Sequence, residues 1–327
     1  MNSFGTNFRL SIFGESHGKG VGITLDGIPP GIPMKLEDFT DDIHRRKAGA
    51  KGTTPRIEKD APSFLSGVFN DFTTGAPLTI WFENTNTRSK DYSKLKTHHR
   101  PGHADFTAEK KYNGFQDYRG GGHFSGRLTL CLVAAGVVAK KILGESIHVK
   151  AHLIEAGGNT NIEEAISIAI DKHESIGGII ESTSTGIPVG FGEPFFNSVE
   201  SIIAHLVFAV PATKGVEFGS GFAAARMTGS EHNDNFIDEK GTTETNNAGG
   251  INGGITNGNP FVFRVAIKPT SSIFKGQETY NSETGKVEEL KIVGRHDVCI
   301  ALRAPVVIEA ITAIGLADCL LTNRINH

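Results

Sequence analysis

The sequence predicts an α+β fold in which antiparallel sheets pack on central apolar helices. Three observations carry this. Residues 125–143 (SGRLTLCLVAAGVVAKKIL) read as a helix that is apolar on every side, the mark of a helix buried at a protein's centre. Residues 305–321 (PVVIEAITAIGLADCLL) form a second apolar helix. Between and before them run short alternating stretches with the period of half-buried strands.

In chain order, residues 8–13 (FRLSIF) and 21–25 (VGITL) read as strands around a glycine-rich turn. Residues 36–47 read as a helix that starts over Lys35 to Asp38, with Gly49 beyond its end. Residues 47–61 are polar, basic and glycine-rich, and read as a mobile loop. LTIWF at 78–82 is a strand, and 104–112 is helical. Ser125 can cap the first apolar helix and Gly144 can end it. Residues 162–175 form an amphipathic helix, IGGIIESTSTGIPVG returns to strand, and 197–208 is helical. VEFGSGFAAARMTGS and FVFRVAIKP alternate like strands. No proline- or serine-rich linker divides the chain and no internal repeat is found, so one domain over 1–327 is expected.

Composition narrows the function classes. The 33 basic and 36 acidic residues leave a net charge of −3, which disfavours nucleic acid as a partner. Any anion must be caught by a local cluster, such as Arg45, Arg46, Lys47, Lys51 and Arg56, which reads as a solvated loop or as a lid over a polyanion. Three cysteines without a CxxC spacing, no signal-like apolar start and no long apolar span point to a reducing cytoplasm and no membrane. Glycine is abundant, forty of 327 residues, and clusters in short loops, as where backbone approaches a ligand closely. GxGxxG, the P-loop and HExxH are all absent.

Five segments carry candidate chemistry. GESHG at 14–18 matches a hydrolase nucleophile elbow, but KGVGITLDG follows it where that elbow needs a helix. It reads otherwise as a bland turn, or as Ser16 and His17 facing a ligand. RPGHAD at 100–105 offers Arg100 as an anion fork beside His103 as an acid. His99 and His103 have metal-ligand spacing, but Pro101 and Gly102 break the helix that would align them, and no metal is expected. YRGGGHFSGRLT at 118–129 puts three glycines before Ser125 and Arg127 at a helix start, which favours an anion. NNAGGINGGITNG and KPTSS at 268–272 suit a flat ring and a phosphate, or a plain surface loop. GRHD at 294–297 brings an acid and a base together.

Taken in order, FGESHGKGVG, DGIPPGIP, RPGHADFT, KYNGFQDYRGGG, TKGVEFG, AGGINGGI, KPTSSI and GRHDVCIALRAP resemble the chorismate synthase family, from about residue 4 to residue 320. The resemblance implies a β-α-β sandwich, a homotetramer, and loss of phosphate from 5-enolpyruvylshikimate-3-phosphate by 1,4-elimination. It implies reduced FMN as cofactor without net redox change. It also implies roles. His17 protonates the departing phosphate, His103 sits beside the reduced flavin, and Asp297 belongs to a proton relay with Ser16 and Ser125. His123, Phe124, Ser125, Ala212, Gly253, Lys268, Pro269, Thr270, Ser271, Ser272 and Arg295 match the flavin segments. Arg46, Arg56, Arg100 and Arg127 clamp the substrate. The sequence departs from the family at His123-Phe124, where Arg-Ser is common, and at Val298, where proline is usual. With no dinucleotide fingerprint, an external source of reduced flavin is expected, rather than an intrinsic NADPH-dependent reductase.

Overall fold

The computed structural model describes residues 2–54, 58–85, 95–292 and 296–326. The chain opens with β1 (Ser3–Phe4), β2 (Arg9–Gly14) and β3 (Gly20–Asp26), then α1 (Thr40–Arg46) and β4 (Pro62–Ser66). The small hairpin of β5 (Val68–Phe69) and β6 (Phe72–Thr73) leads to β7 (Leu78–Glu83), α2 (Asp105–Lys111) and α3 (Thr129–Leu143). Next come β8 (His148–Ala156), α4 (Ile162–Asp171), β9 (Gly178–Thr185), α5 (Val199–Ala209) and β10 (Thr213–Phe218). A four-residue α6 (Gly229–His232), the hairpin β11 (Ile251–Asn252) and β12 (Ile255–Thr256), and β13 (Phe261–Ile267) follow. A second hairpin, β14 (Gln277–Asn281) and β15 (Lys286–Leu290), precedes the long α7 (Pro305–Asn326).

Two antiparallel sheets enclose a helical layer. The first runs β1-β2-β3-β7-β4 and the second β10-β13-β9-β8. Ile23 of β3 pairs with Ile12 and Ile80, and Val21, Ile23 and Leu25 are fully buried on the face that meets α3. In the second sheet Ile180 pairs with Val265, both fully buried, and α7 covers β8 and β9. Between the sheets α3 and α7 pack on each other, so the two apolar helices bury one another within a single chain. Their approach is close: a Cβ on Gly136 would lie 2.4 Å from that of Ala310. This is the α+β, β-α-β arrangement expected.

Buried polar groups in α7 are paired. Glu309 accepts two bonds from Arg45 and one from the Ala151 amide. Asp318 accepts from the amides of Thr6, Asn7 and Phe8, which pins the N-terminal segment to the helix layer. Pro305–Arg324 is long and apolar enough to cross a membrane, which the sequence reading did not expect, yet 83% of its apolar window is buried inside the protein.

Three expectations need correction. Residues 216–230 are strand only to Phe218. Gly219 and Gly221 then take left-handed φ angles of 54°, and a 3-10 turn and α6 follow. Helix α4 stops at Asp171 and not near 175, because His173 adopts a φ of 56°. The described part of the basic loop is anchored, with the Gly52 carbonyl accepting from the Val298 and Cys299 amides.

Candidate active site

The GESHG segment is the turn between β2 and β3. A strand follows it directly, so Ser16 sits on no nucleophile elbow. Its amide donates to the Gly122 carbonyl at 3.1 Å, which ties this turn to the triple-glycine run. Gly120, Gly121 and Gly122 all hold positive φ, at 59°, 80° and 53°. Only glycine takes such a run without strain. A Cβ at Gly120 would lie 2.4 Å from the His17 ring and 3.0 Å from Ser16 Oγ, and one at Gly121 would lie 3.4 Å from the His103 ring. The glycine backbone is thus a thin partition with one imidazole on each side. Ser16 and Gly120 line the cleft, with the His17 ring directly against Gly120.

On the far side, Arg100, His103 and Asp105 form a buried ionic cluster. Arg100 gives both edges of its fork to Asp105, from Nε and from Nη2, each at 2.8 Å. Its remaining Nη1 donates to Ser272 at 3.2 Å. Asp105 Oδ1 lies 2.6 Å from His103 Nδ1. Burial favours the neutral Asp105 carboxyl, but the hydrogen bonds from Arg100 and His103 outweigh it and hold the group well below the usual carboxylate range. Three of the five Arg100 N–H groups are thus engaged by Asp105 and Ser272, and Arg100 lines the larger cavity.

A cavity of about 250 Å³ opens at the start of α3, where Ser125 accepts from the Arg127 amide as a cap. Arg127 Nη1 meets Asp60 at 2.8 Å and Nε meets Asn84 Oδ1 at 2.5 Å, while Nη2 is buried without an acceptor among the described residues. Arg46 is held by Thr129 Oγ1 and the Gly126 carbonyl, each at 2.9 Å. Burial lowers its guanidinium to about 10, with Arg303 adding to the effect and Asp60 opposing it. Asp297 closes the wall, accepting from Arg303 Nη2 at 2.6 Å and from the Thr54 amide at 3.0 Å. Among the described residues, Arg46, Lys47, Arg127 and Arg303 face Glu58, Asp60 and Asp297 here, a surplus of one cation. An anion would satisfy that surplus and the idle Arg127 N–H. Arg45 and Lys51 turn elsewhere, to Glu309 and to Ser167.

This cavity shares Gly120, Ser125, Gly126 and Ile300 with a larger one of about 770 Å³. His103, His123, Phe124, Ala212 and the run Lys268 to Ser272 line the larger space, which is of a size to take a cofactor. Ala212 holds a φ of 72°, and its carbonyl accepts from the Lys268 amide. Thr213 and Thr270 turn buried hydroxyls with no protein partner into this region. Lys268 is lowered from its ordinary value by burial and by Lys214 beside it.

Of the residues singled out from sequence, Ser16, Arg46, Ser125, Arg127 and Asp297 line the smaller cavity. Arg100, His103, His123, Phe124, Ala212 and Lys268, Pro269, Thr270, Ser271 and Ser272 line the larger one. Gly253 does not join them; it lies in the β11–β12 turn with a φ of 61°. Arg56 and Arg295 fall outside the described residues. Sequence reading missed Asp60, Asn84, Arg303 and Asp105 as site members. Asp105 stood inside RPGHAD, and Arg303 was visible just before the apolar helix. Nothing local marks Asp60 or Asn84, which reach the cleft only through the sheet.

Fold and site together define a sheet–helix–sheet enzyme with an anion pocket opening into a larger ligand cavity. The comparisons make this specific. The family model for chorismate synthase matches residues 8–321. A chorismate synthase of Chitinophaga pinensis is 64% identical over 324 residues, covering 99% of this chain and 98% of the relative. One from Pyrococcus abyssi is 43% identical, covering 98% of each. A crystal structure of chorismate synthase superposes with a TM-score of 0.73 at 29% identity, covering 98% of this chain and 93% of the other. The chain belongs to the chorismate synthase family, which are carbon–oxygen lyases of the shikimate pathway.

Proposed function

We propose that the joined cavities convert 5-enolpyruvylshikimate-3-phosphate to chorismate and phosphate, with reduced FMN in the larger space. The observation that carries this reading is the glycine run, which has the His17 ring against Gly120 and the His103 ring against Gly121, beside the joined cavities that Ser16 and His103 line. The larger cavity suits a flavin mononucleotide: it is of cofactor size, and among the described residues two buried threonine hydroxyls in its wall lack partners. Ala212, His123, Phe124, Ser125 and Lys268 to Ser272 would hold it. When bound in reduced form, FMN supplies electron density to the allylic system of the substrate and is regained at the end.

The chain's own residues do the rest. Arg46 and Arg127 bind the substrate anions and take them out of water. His17 holds a proton for the phosphate oxygen as the C–O bond breaks, with the Ser16 hydroxyl between its turn and the cleft. Asp297, fixed by Arg303 and the Thr54 amide, presents a carboxylate to the proton leaving the ring. We further infer a cytoplasmic homotetramer supplied with reduced flavin by a separate reductase. The exposed Phe195 and Phe196, 86% and 93% accessible, support contact between copies.

The test is anaerobic phosphate release with reduced FMN by wild type, His17→Ala and His103→Ala. Both variants should fold and lose about a hundredfold or more of turnover. Undiminished release by either would remove that residue from its role.

A further inference from the structure

We propose that Asp105 is a positioning residue for the reaction inferred above: its carboxylate, gripped by the Arg100 fork, fixes the His103 imidazole with Nδ1–H bonded and Nε2 left to the glycine run beside the larger cavity. Two groups reach Nδ1, Asp105 Oδ1 at 2.6 Å and Arg100 Nη2 at 3.0 Å. A ring nitrogen that donates cannot also accept from an arginine N–H. The shorter contact, to a charged acceptor, takes precedence, so Nδ1 carries the proton and donates it. Arg100 Nη2 also donates to Asp105 Oδ1 at 2.8 Å, so it keeps a carboxylate partner without the imidazole.

The opposite edge of the ring, Cε1 and Nε2, is turned to Gly121 in the partition, 3.4 and 3.6 Å from where a Cβ would stand. One imidazole edge is therefore held by the ion cluster and the other lies against the glycine run, in a residue that lines the larger cavity. Arg100 joins this assembly as its outer member. It holds Asp105 ionised and ties it to Ser272 in the larger cavity's wall. This assigns the RPGHAD segment a single task, that of presenting one imidazole nitrogen in one tautomer. The charged and titratable groups around the ring are Arg100 and Asp105 on its own segment and Lys268 across Gly102, with Lys214 behind it. Among the described residues, Lys96, His99, Asp117 and Tyr118 lie beside the small pocket behind the ring, and His123 lies across the larger cavity.

The experiment is nitrogen NMR on protein labelled at histidine, with His103→Gln assigning the signal, recorded over about pH 6 to 9. It needs neither substrate nor flavin. Wild type should show His103 as the Nδ1–H tautomer. In Asp105→Asn the amide oxygen stays with Arg100 and its N–H₂ faces Nδ1, which drives the ring to the Nε2–H tautomer. Turnover should then fall about tenfold to a hundredfold in kcat, with KM changed less than about threefold. An Nε2–H tautomer in wild type would overturn the assignment, as would an Asp105→Asn protein that keeps the Nδ1–H signal and full kcat. If wild type showed the Nδ1–H tautomer yet released no phosphate, the positioning would stand and the elimination would fall.

Discussion

Asp105 shows how one carboxylate serves both folding and site geometry. Its pKa is depressed in the folded chain relative to its ordinary value of 3.8. A depressed carboxylate contributes stability that is present above its unfolded pKa and is lost as pH falls toward the folded one. The wild-type advantage over Asp105→Asn should therefore be full at neutral pH and should shrink below about pH 4. Urea unfolding at neutral and acidic pH checks this, and an advantage that grows in acid would contradict the ion cluster. Arg100 follows the same logic. Its fork was legible in the sequence as an anion binder, but the anion it meets is a side chain five residues away. Residue type predicted the chemistry, and only packing could decide the partner. Asp60 makes the converse point, since no pattern in EKDAP shows that it balances Arg127 across 67 residues.

Elements with strong periodicity were readable, and those defined by tertiary pairing were not. Helix α3 was legible in its apolar body and its Gly144 end, which are local properties, but it starts at Thr129 and not at 125, because Ser125 caps a 3-10 turn over Gly126–Leu128 that precedes it. The entry over Lys35 to Asp38 was equally plain, with Asp38 accepting from the Lys35 amide at 2.7 Å, but it opens a 3-10 turn over Leu36–Phe39, and α1 begins only at Thr40. The β14–β15 hairpin was missed because QETYN and KVEEL are polar on both faces, so no hydrophobic alternation marks them. Strand β8 was missed too, although its alternation in HVKAHLIEA is real; its neighbour β9 fixes it across an irregular register. The contact of α3 with α7 rests on Gly136 against Ala310. Gly136→Val should overpack that crossing and cost about 1–3 kcal/mol in chemical denaturation. An unchanged or raised stability would mean that the two helices can move apart at no cost.

At the scale of the molecule, the helix layer explains why distant segments make one cleft. The turn between β2 and β3 delivers Ser16, with His17 against Gly120, the loop into α2 delivers His103, the turn before α3 delivers Arg127, and the approach to α7 delivers Asp297. The segments were each legible in sequence as glycine-rich or ionic motifs, and their convergence became an expectation only through family resemblance. Glycine content, read first as backbone held close to a ligand, proves in part to be backbone held close to two histidines. The most direct measurement is a single anaerobic turnover of 5-enolpyruvylshikimate-3-phosphate by the wild-type protein, with and without reduced FMN. Phosphate and chorismate formed in equal amounts only when reduced FMN is present is the expected result. Phosphate released equally well without flavin, or no release under either condition, would contradict the elimination assigned to this cleft.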